Sequence, residues 1–94
     1  MPQPTIGRVV HYRLSEEDVT RCQQQLSHNP PELLKQFNEP RAGQTYAAIV
    51  TSVTVHPDHP DVNLRVILDG PYDFFAHSRV QGEEPGTWAW PERV

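Results

Sequence analysis

The sequence predicts an α+β fold that is mainly β, with four or five antiparallel strands in a small meander or open barrel. Three observations support this prediction. Short segments rich in β-branched and aromatic residues recur along the chain, and turn residues separate them. Within most of these segments, apolar and polar residues alternate, as in a strand with one buried face. One helical pattern interrupts the series between the first two strands.

The first strand is predicted over residues 7–14, and the helical insert over about residues 15–38. Ser15 is typical of a helix N-cap, because the three acidic residues after it would lie in the first turn, where the helix dipole favours negative charge. The first helix would cover about residues 16–27. Pro31 would start a second, shorter helix, since proline is favoured at the first helical position.

Three further strands and a short closing segment follow the insert. The strands are predicted over residues 46–56, 62–68 and 72–80, and the closing segment over residues 87–91. A twisted sheet of this size tends to curl into a small open barrel, SH3-like in outline, because closure protects its edges. We expect a single domain over residues 1–94, because the sequence has no linker, repeat or low-complexity tract long enough to indicate another domain.

Composition and charge limit the functions that the chain can have. A hydrophobic fraction of 36% in 94 residues implies a thin core, so burial between subunits would add stability, and a homo-oligomer is expected. The net charge of −4 argues against general nucleic-acid binding, which needs a positive field. The sequence has neither an apolar run long enough to span a membrane nor a signal peptide, so we expect an intracellular protein without membrane contact.

Neither catalysis nor a cofactor is expected. Cys22 is the single cysteine, and a small apolar helix residue is a better interpretation than a reactive thiol. The loop over residues 56–61 repeats His-Pro-Asp, which could ligate a metal, but a stiff structural loop is the preferred interpretation. Ser78 lies between His77 and Arg79, yet neighbours in a strand face opposite sides, so these residues do not form a catalytic group.

The last third of the chain carries the candidate binding site. If the strands over residues 62–68 and 72–80 pair across the Asp69-Gly70 turn, their polar and aromatic residues share an outer face. Arginine can bind phosphate oxygens bidentately, and an aromatic ring can stack on a base. A subunit contact is equally compatible with the pattern, and a plain solvated face is a less favoured alternative. Both tryptophans are better interpreted as core residues. The candidate ligand-binding residues are Asn63, Arg65, Phe75, His77, Arg79 and Trp88.

Four segments of the chain carry a resemblance. They are Gly7-Arg8-Val9-Val10-His11-Tyr12, Ala48-Ile49-Val50, Val62 to Gly70, and Pro85-Gly86-Thr87-Trp88-Ala89-Trp90-Pro91-Glu92-Arg93-Val94. Together they resemble a family of small proteins encoded by bacteriophages. The resemblance covers the larger part of the chain, and the closing Trp-x-Trp-Pro signature is its most specific part. It implies a viral origin, with ends that are similar among members and an insert that differs.

In size, acidity and lack of catalytic machinery, the chain is also similar to small phage proteins that act as sponges. Those proteins form homo-oligomers and sequester nucleotide signals of bacterial immunity, such as cyclic ADP-ribose isomers or cyclic oligonucleotides. The resemblance implies a non-enzymatic protein that binds such a signal in the cytoplasm of an infected bacterium. It assigns no binding residue, so the candidate site depends on strand alternation alone. The alternative is a protein–protein interaction module that inhibits a host protein or acts in phage assembly.

Overall fold

The structure, a computed structural model, describes residues 3–28, 32, 38–55, 60–70 and 72–91. These residues form a mainly β fold with one helix between the first two strands, which confirms the predicted fold class. Of the second helix predicted at Pro31, the structure describes only Glu32, whose backbone is helical, and the rest lies outside the described residues. The elements are β1 (Val9–Arg13), α1 (Glu16–Leu26), β2 (Thr45–Val55), β3 (Pro60–Ile67), β4 (Asp73–Arg79) and β5 (Trp88–Ala89).

The five strands form one antiparallel sheet in the order β4-β3-β2-β1-β5. β1 lies between β2 and β5, and its Tyr12 pairs with Trp88 of β5. β5 also contacts the segment that follows β4. The backbone N–H of Trp88 donates to the Val80 carbonyl (3.1 Å), and the backbone N–H of Gly82 donates to the Trp88 carbonyl (2.9 Å). These hydrogen bonds link the two edges of the sheet, because β5 and β4 are its outermost strands, as expected of a small open barrel.

The flanks of β1 and β5 also contact each other. Arg8 directly precedes β1, and Trp90 directly follows β5. The Arg8 guanidinium carbon lies 5.1 Å from the centroid of the Trp90 ring, a cation–π geometry. The antiparallel pairing of the two strands brings these flanking residues to the same side of the sheet.

α1 begins with the N-cap that the sequence predicts. The Ser15 hydroxyl accepts a hydrogen bond from the Asp18 N–H (3.1 Å), and the Asp18 carboxylate accepts one from the Ser15 N–H (3.0 Å). This reciprocal pair is a capping box, and it satisfies backbone donors that the first helical turn leaves open. Asp18 and Cys22 lie about one turn apart, and both are buried. No helix among the described residues is long and apolar enough to cross a membrane.

The core lies on the inner face of the sheet. Alternate residues of β1, β3 and the first part of β4 are buried there, as alternation predicts. In β2, Ala48 and Val50 are buried, and a register shift between Val50 and Ser52 interrupts the alternation. The largest fully buried apolar side chains are Trp88, Tyr12, Phe74, Leu14 and Leu64.

A β-bulge ends the regular alternation of β4. Two residues of this strand, His77 and Ser78, lie opposite the single residue Asn63 of β3. Ser78 has a φ of 57°, in the left-handed region that residues other than glycine rarely adopt. The Asn63 side-chain oxygen accepts a hydrogen bond from the Ser78 N–H (2.8 Å) and stabilises the bulge. Beyond it, Arg79 faces inward rather than outward.

We expect Ser78→Gly to raise the free energy of unfolding by about 0.5–1 kcal/mol, because glycine adopts a left-handed φ without a steric penalty from a β-carbon. Ser78→Val should lower it by about 1–2 kcal/mol, since a β-branched side chain is strongly disfavoured at positive φ. Urea titrations of the three proteins would measure both changes. A glycine variant that is less stable than the wild-type protein would show that the backbone at Ser78 is not strained in solution.

Candidate functional site

Three predicted site residues, Arg65, Phe75 and His77, lie together on the outer face of the sheet. Arg65 of β3 pairs directly with Phe75 of β4. The Arg65 guanidinium carbon lies 5.5 Å from the centroid of the Phe75 ring, which is a cation–π geometry. The His77 ring is nearly perpendicular to the same ring, at a centroid distance of 6.5 Å. All three residues are exposed, so they form one cluster that a ligand can reach.

Asp73 is the anionic neighbour of this cluster. Its Oδ1 lies 3.4 Å from Arg65 Nη1, and the two side chains are 48% and 49% exposed. An exposed ion pair at this distance contributes about 0–1 kcal/mol, so a competing anion can replace the carboxylate at little cost. The Arg65 guanidinium is therefore the accessible cation of the cluster.

A row of four paired residues crosses the same face. Val9, Ile49, Arg65 and Phe75 are successive partners on β1, β2, β3 and β4. Val9 is 51% exposed and Phe75 39% exposed, and Ile67, two positions along β3 from Arg65, is 46% exposed. We call these five residues the outer sheet surface. Ile49 is half-buried, and Arg65 lies between it and Phe75. Several exposed apolar side chains on one sheet face are typical of a contact surface, whereas isolated ones are ordinary.

Val9, Ile49 and Ile67 were not among the predicted site residues, because the prediction used only the polar and aromatic residues of the outer face. The signal was present in the sequence. Val9-Val10, Ile49-Val50 and Val66-Ile67 are adjacent apolar pairs within strands. Because neighbouring side chains in a strand point to opposite faces, one member of each pair has to lie outside the core.

Arg79 does not lie on the outer face, contrary to the prediction. The bulge turns it inward, where its Nη2 donates to Asp18 Oδ1 at 2.9 Å. Asp18 is fully buried, and its carboxylate also accepts hydrogen bonds from the Tyr12 hydroxyl (2.5 Å) and the Ser15 N–H (3.0 Å). These donors compensate for the burial of a charge. Burial and the hydrogen bond to Asp18 raise the pKa of Tyr12. The ion pair between Arg79 of β4 and Asp18 of α1 thus links the helix to the sheet.

Trp88 and Asn63 contribute to the fold rather than to the exposed cluster, and the burial of Trp88 agrees with its preferred interpretation as a core residue. Trp88 is fully buried in the core, where its ring contacts that of Trp90 edge-on, with centroids 5.3 Å apart. It cannot stack on a ligand at the outer face unless the core opens. The Asn63 side-chain oxygen is bonded to the Ser78 N–H in the bulge. Both residues therefore serve the fold, because they hold neighbouring segments in place.

Two cavities are lined by residues other than the five of the outer sheet surface. One, of about 560 Å³, is lined by residues that include Arg41, Glu39 and Asp69. Its two carboxylates outnumber its guanidinium, so among the described residues it suits an anion less well than the Arg65 cluster does. The other, of about 170 Å³, borders Cys22. Burial, with a smaller effect of the Asp18 charge, raises the pKa of the Cys22 thiol to about 12, which disfavours the reactive thiolate.

No group of three or more histidine, cysteine, aspartate or glutamate side chains in the described part of the chain is placed to hold a metal ion. Residues 56–59, which form most of the repeated His-Pro-Asp loop, lie outside that part.

Comparisons with known proteins found no relative: no protein-family model, curated protein or solved structure matches the chain. The resemblance to phage proteins stays a prediction.

Proposed function

We propose that the protein is a non-enzymatic binding protein that captures a planar, nucleotide-type anion at Arg65, Phe75 and His77. The Arg65–Phe75 pair carries this proposal, because a half-exposed guanidinium and an exposed aromatic ring lie 5.5 Å apart. The guanidinium can bind two phosphate oxygens at once, and the ring can stack on a base. His77, beside the same ring, can add a hydrogen bond as donor or acceptor.

Capture would proceed by an exchange of partners. A phosphate group would replace Asp73 on the Arg65 guanidinium, because a bidentate, charge-assisted contact is stronger than a single contact of 3.4 Å. No bond of the ligand would change, so the protein would lower the free concentration of ligand in proportion to its own amount. A nucleotide signal of bacterial immunity, sequestered in the cytoplasm of an infected cell by a phage-encoded protein, is the ligand that the sequence resemblance favours.

We expect Arg65→Ala to weaken binding of such a ligand by about 10- to 100-fold, since a hydrogen bond to a charged group contributes about 1.5–3 kcal/mol. Phe75→Ala should weaken it by a similar factor, because stacking contributes about 1–3 kcal/mol per base. Isothermal titration calorimetry with cyclic ADP-ribose and with a cyclic dinucleotide would measure both losses. Mass spectrometry of the ligand released on denaturation would show whether it is intact.

Arg21→Ala is the matched control. It removes another exposed arginine, which is paired with Glu17 on the surface of α1 (2.8 Å), and it should leave binding unchanged. Equal losses for Arg21→Ala and Arg65→Ala would contradict the proposed site. A chemically altered ligand would show that the protein is an enzyme. If the wild-type protein binds neither ligand, that result would contradict a nucleotide-binding function.

A second function, as a module that binds a host or phage protein, is favoured by the apolar part of the outer sheet surface. Val9, Ile67 and Phe75 expose large apolar side chains on a sheet face. Small-molecule sites are usually concave, whereas protein contacts have apolar centres with polar rims. A partner retained from infected cells by the unchanged protein and by Ile6→Glu, but lost with Ile67→Glu, would support this function. Equal retention by both variants would contradict it.

A further inference from the structure

We infer that a second copy of this chain packs against the outer sheet surface, so that two sheets face each other across a twofold axis. The inference extends the proposed function, because the second copy would enclose the ligand. The dimer itself needs no ligand, because it depends on the shape, the charges and the size of the outer sheet surface.

The surface is continuous across the sheet. Val9, Ile49, Arg65 and Phe75 are paired in register, so neighbouring side chains of the row are separated by about 4.8 Å, the spacing of adjacent strands. Ile67 widens the apolar area along β3. Two sheets pack face to face at about 10 Å, a distance that aliphatic and aromatic side chains from both sides fill. The row can therefore form the centre of a sheet-on-sheet contact.

The charges of this surface complement one another under twofold symmetry. Arg65 and Asp73 lie on neighbouring strands, carry opposite charges and are each about half exposed. In a twofold arrangement every contact is made twice, so each Arg65 can pair with the Asp73 of the other copy. Symmetry thus supplies a partner whose charges match those of this surface.

The size of the surface fits a weak, reversible dimer. The row crosses four strands about 4.8 Å apart and so spans about 14 Å, and the seven to eleven residues of β2, β3 and β4 extend over about 23–36 Å. The whole of such a face corresponds to roughly 300–500 Å² per copy, below the usual size of stable specific complexes. We therefore expect a dissociation constant on the order of 1–100 μM.

A second copy would also complete the proposed ligand site. A ligand on one flat face would leave its other side in water, whereas small-molecule sites usually bury most of the ligand's surface. Between two copies, a ligand would meet Arg65 and Phe75 from each side. A ligand with two phosphates and internal twofold symmetry, such as a cyclic dinucleotide with identical bases, matches this arrangement, so its binding should strengthen the dimer.

Sedimentation velocity of the full chain without ligand, from about 5 to 500 μM, tests the dimer. We expect the average mass to rise with concentration from 10.8 kDa to twice that value. Ile67→Glu should stay monomeric throughout, because the dimer would bury two additional carboxylates without partners. Ile6→Glu is the matched control: Ile6 is 72% exposed and outside the sheet, so this variant should dimerise normally. Circular dichroism would verify that both variants fold.

A monomer at about 500 μM, or a dimer that Ile67→Glu does not weaken relative to Ile6→Glu, would overturn the inference. A stable trimer or tetramer would overturn the twofold arrangement. These results are obtained without ligand, so they leave the calorimetric test of Arg65→Ala unaffected. Conversely, a dimer that binds no nucleotide would contradict the proposed function and support the inferred interface.

Discussion

Replacing Asp18 by alanine is expected to lower the free energy of unfolding by about 3–5 kcal/mol. Asp18 is fully buried, and its carboxylate accepts hydrogen bonds from Tyr12, Ser15 and Arg79. The alanine variant would leave the Arg79 charge, on a side chain only 23% exposed, without its counter-ion. It would also leave the Tyr12 hydroxyl and the Ser15 N–H without their acceptor. Urea unfolding followed by circular dichroism would measure the loss.

Glu17→Ala is the control for this prediction. It removes an exposed carboxylate from the same helical turn and should cost less than about 1 kcal/mol. Asp18→Asn distinguishes the contribution of the negative charge from that of the hydrogen bonds. Asparagine can still accept a hydrogen bond from the Ser15 N–H but cannot neutralise Arg79. We expect its loss to be intermediate. If Asp18→Ala costs no more than Glu17→Ala, the buried ion pair does not hold α1 to the sheet.

Replacing Trp88 by alanine should have the second large effect, a loss of about 3–5 kcal/mol. Trp88 is the largest fully buried side chain, and its backbone joins β5 to Val80 and Gly82 beyond β4. Alanine would leave a cavity in a thin core that has few large side chains with which to fill it. Urea unfolding would give the change in stability, and circular dichroism would show whether the variant folds without denaturant.

Trp88→Phe distinguishes packing from hydrogen bonding. The indole Nε1 is buried and makes no hydrogen bond with any part of the described chain. Phenylalanine keeps much of the ring and removes this unsatisfied donor, so it should cost only about 1–2 kcal/mol. Losses of equal size for Trp88→Ala and Trp88→Phe would contradict the view that ring packing is the main contribution of Trp88.

Alternation predicted the buried residues correctly where the strands are regular. Val10, Tyr12 and Leu14 are all fully buried, because a period of two residues is a direct property of extended backbone. The N-cap at Ser15 was predictable for a similar reason, since capping involves residues only three positions apart. The exposed cluster of Arg65 and Phe75 lies within regular segments of paired strands, so its position also followed from the pattern.

The position of Arg79 could not be predicted, because it depends on a bulge at Ser78. No glycine marks that position, and the bulge is stabilised by Asn63 from another strand. One additional residue moves every later side chain of a strand to the opposite face. The role of Asp18 was unpredictable for a related reason. An acidic residue is favoured in the first helical turn, so its position in the helix was predicted. Its buried hydrogen bonds to Tyr12 and Arg79 depend on tertiary packing, which the local sequence does not show.

The contact between Arg8 and Trp90 has a consequence for the connectivity of the chain. The residue before the first strand touches the residue after the last one, and β1 and β5 are themselves paired. The order of the strands around the open barrel therefore follows their order along the chain, and β5 leads back to β1. A short peptide joining these flanks, with new termini opened at Gly70 in the turn between β3 and β4, would preserve every strand pairing. The fold is thus a natural subject for circular permutation.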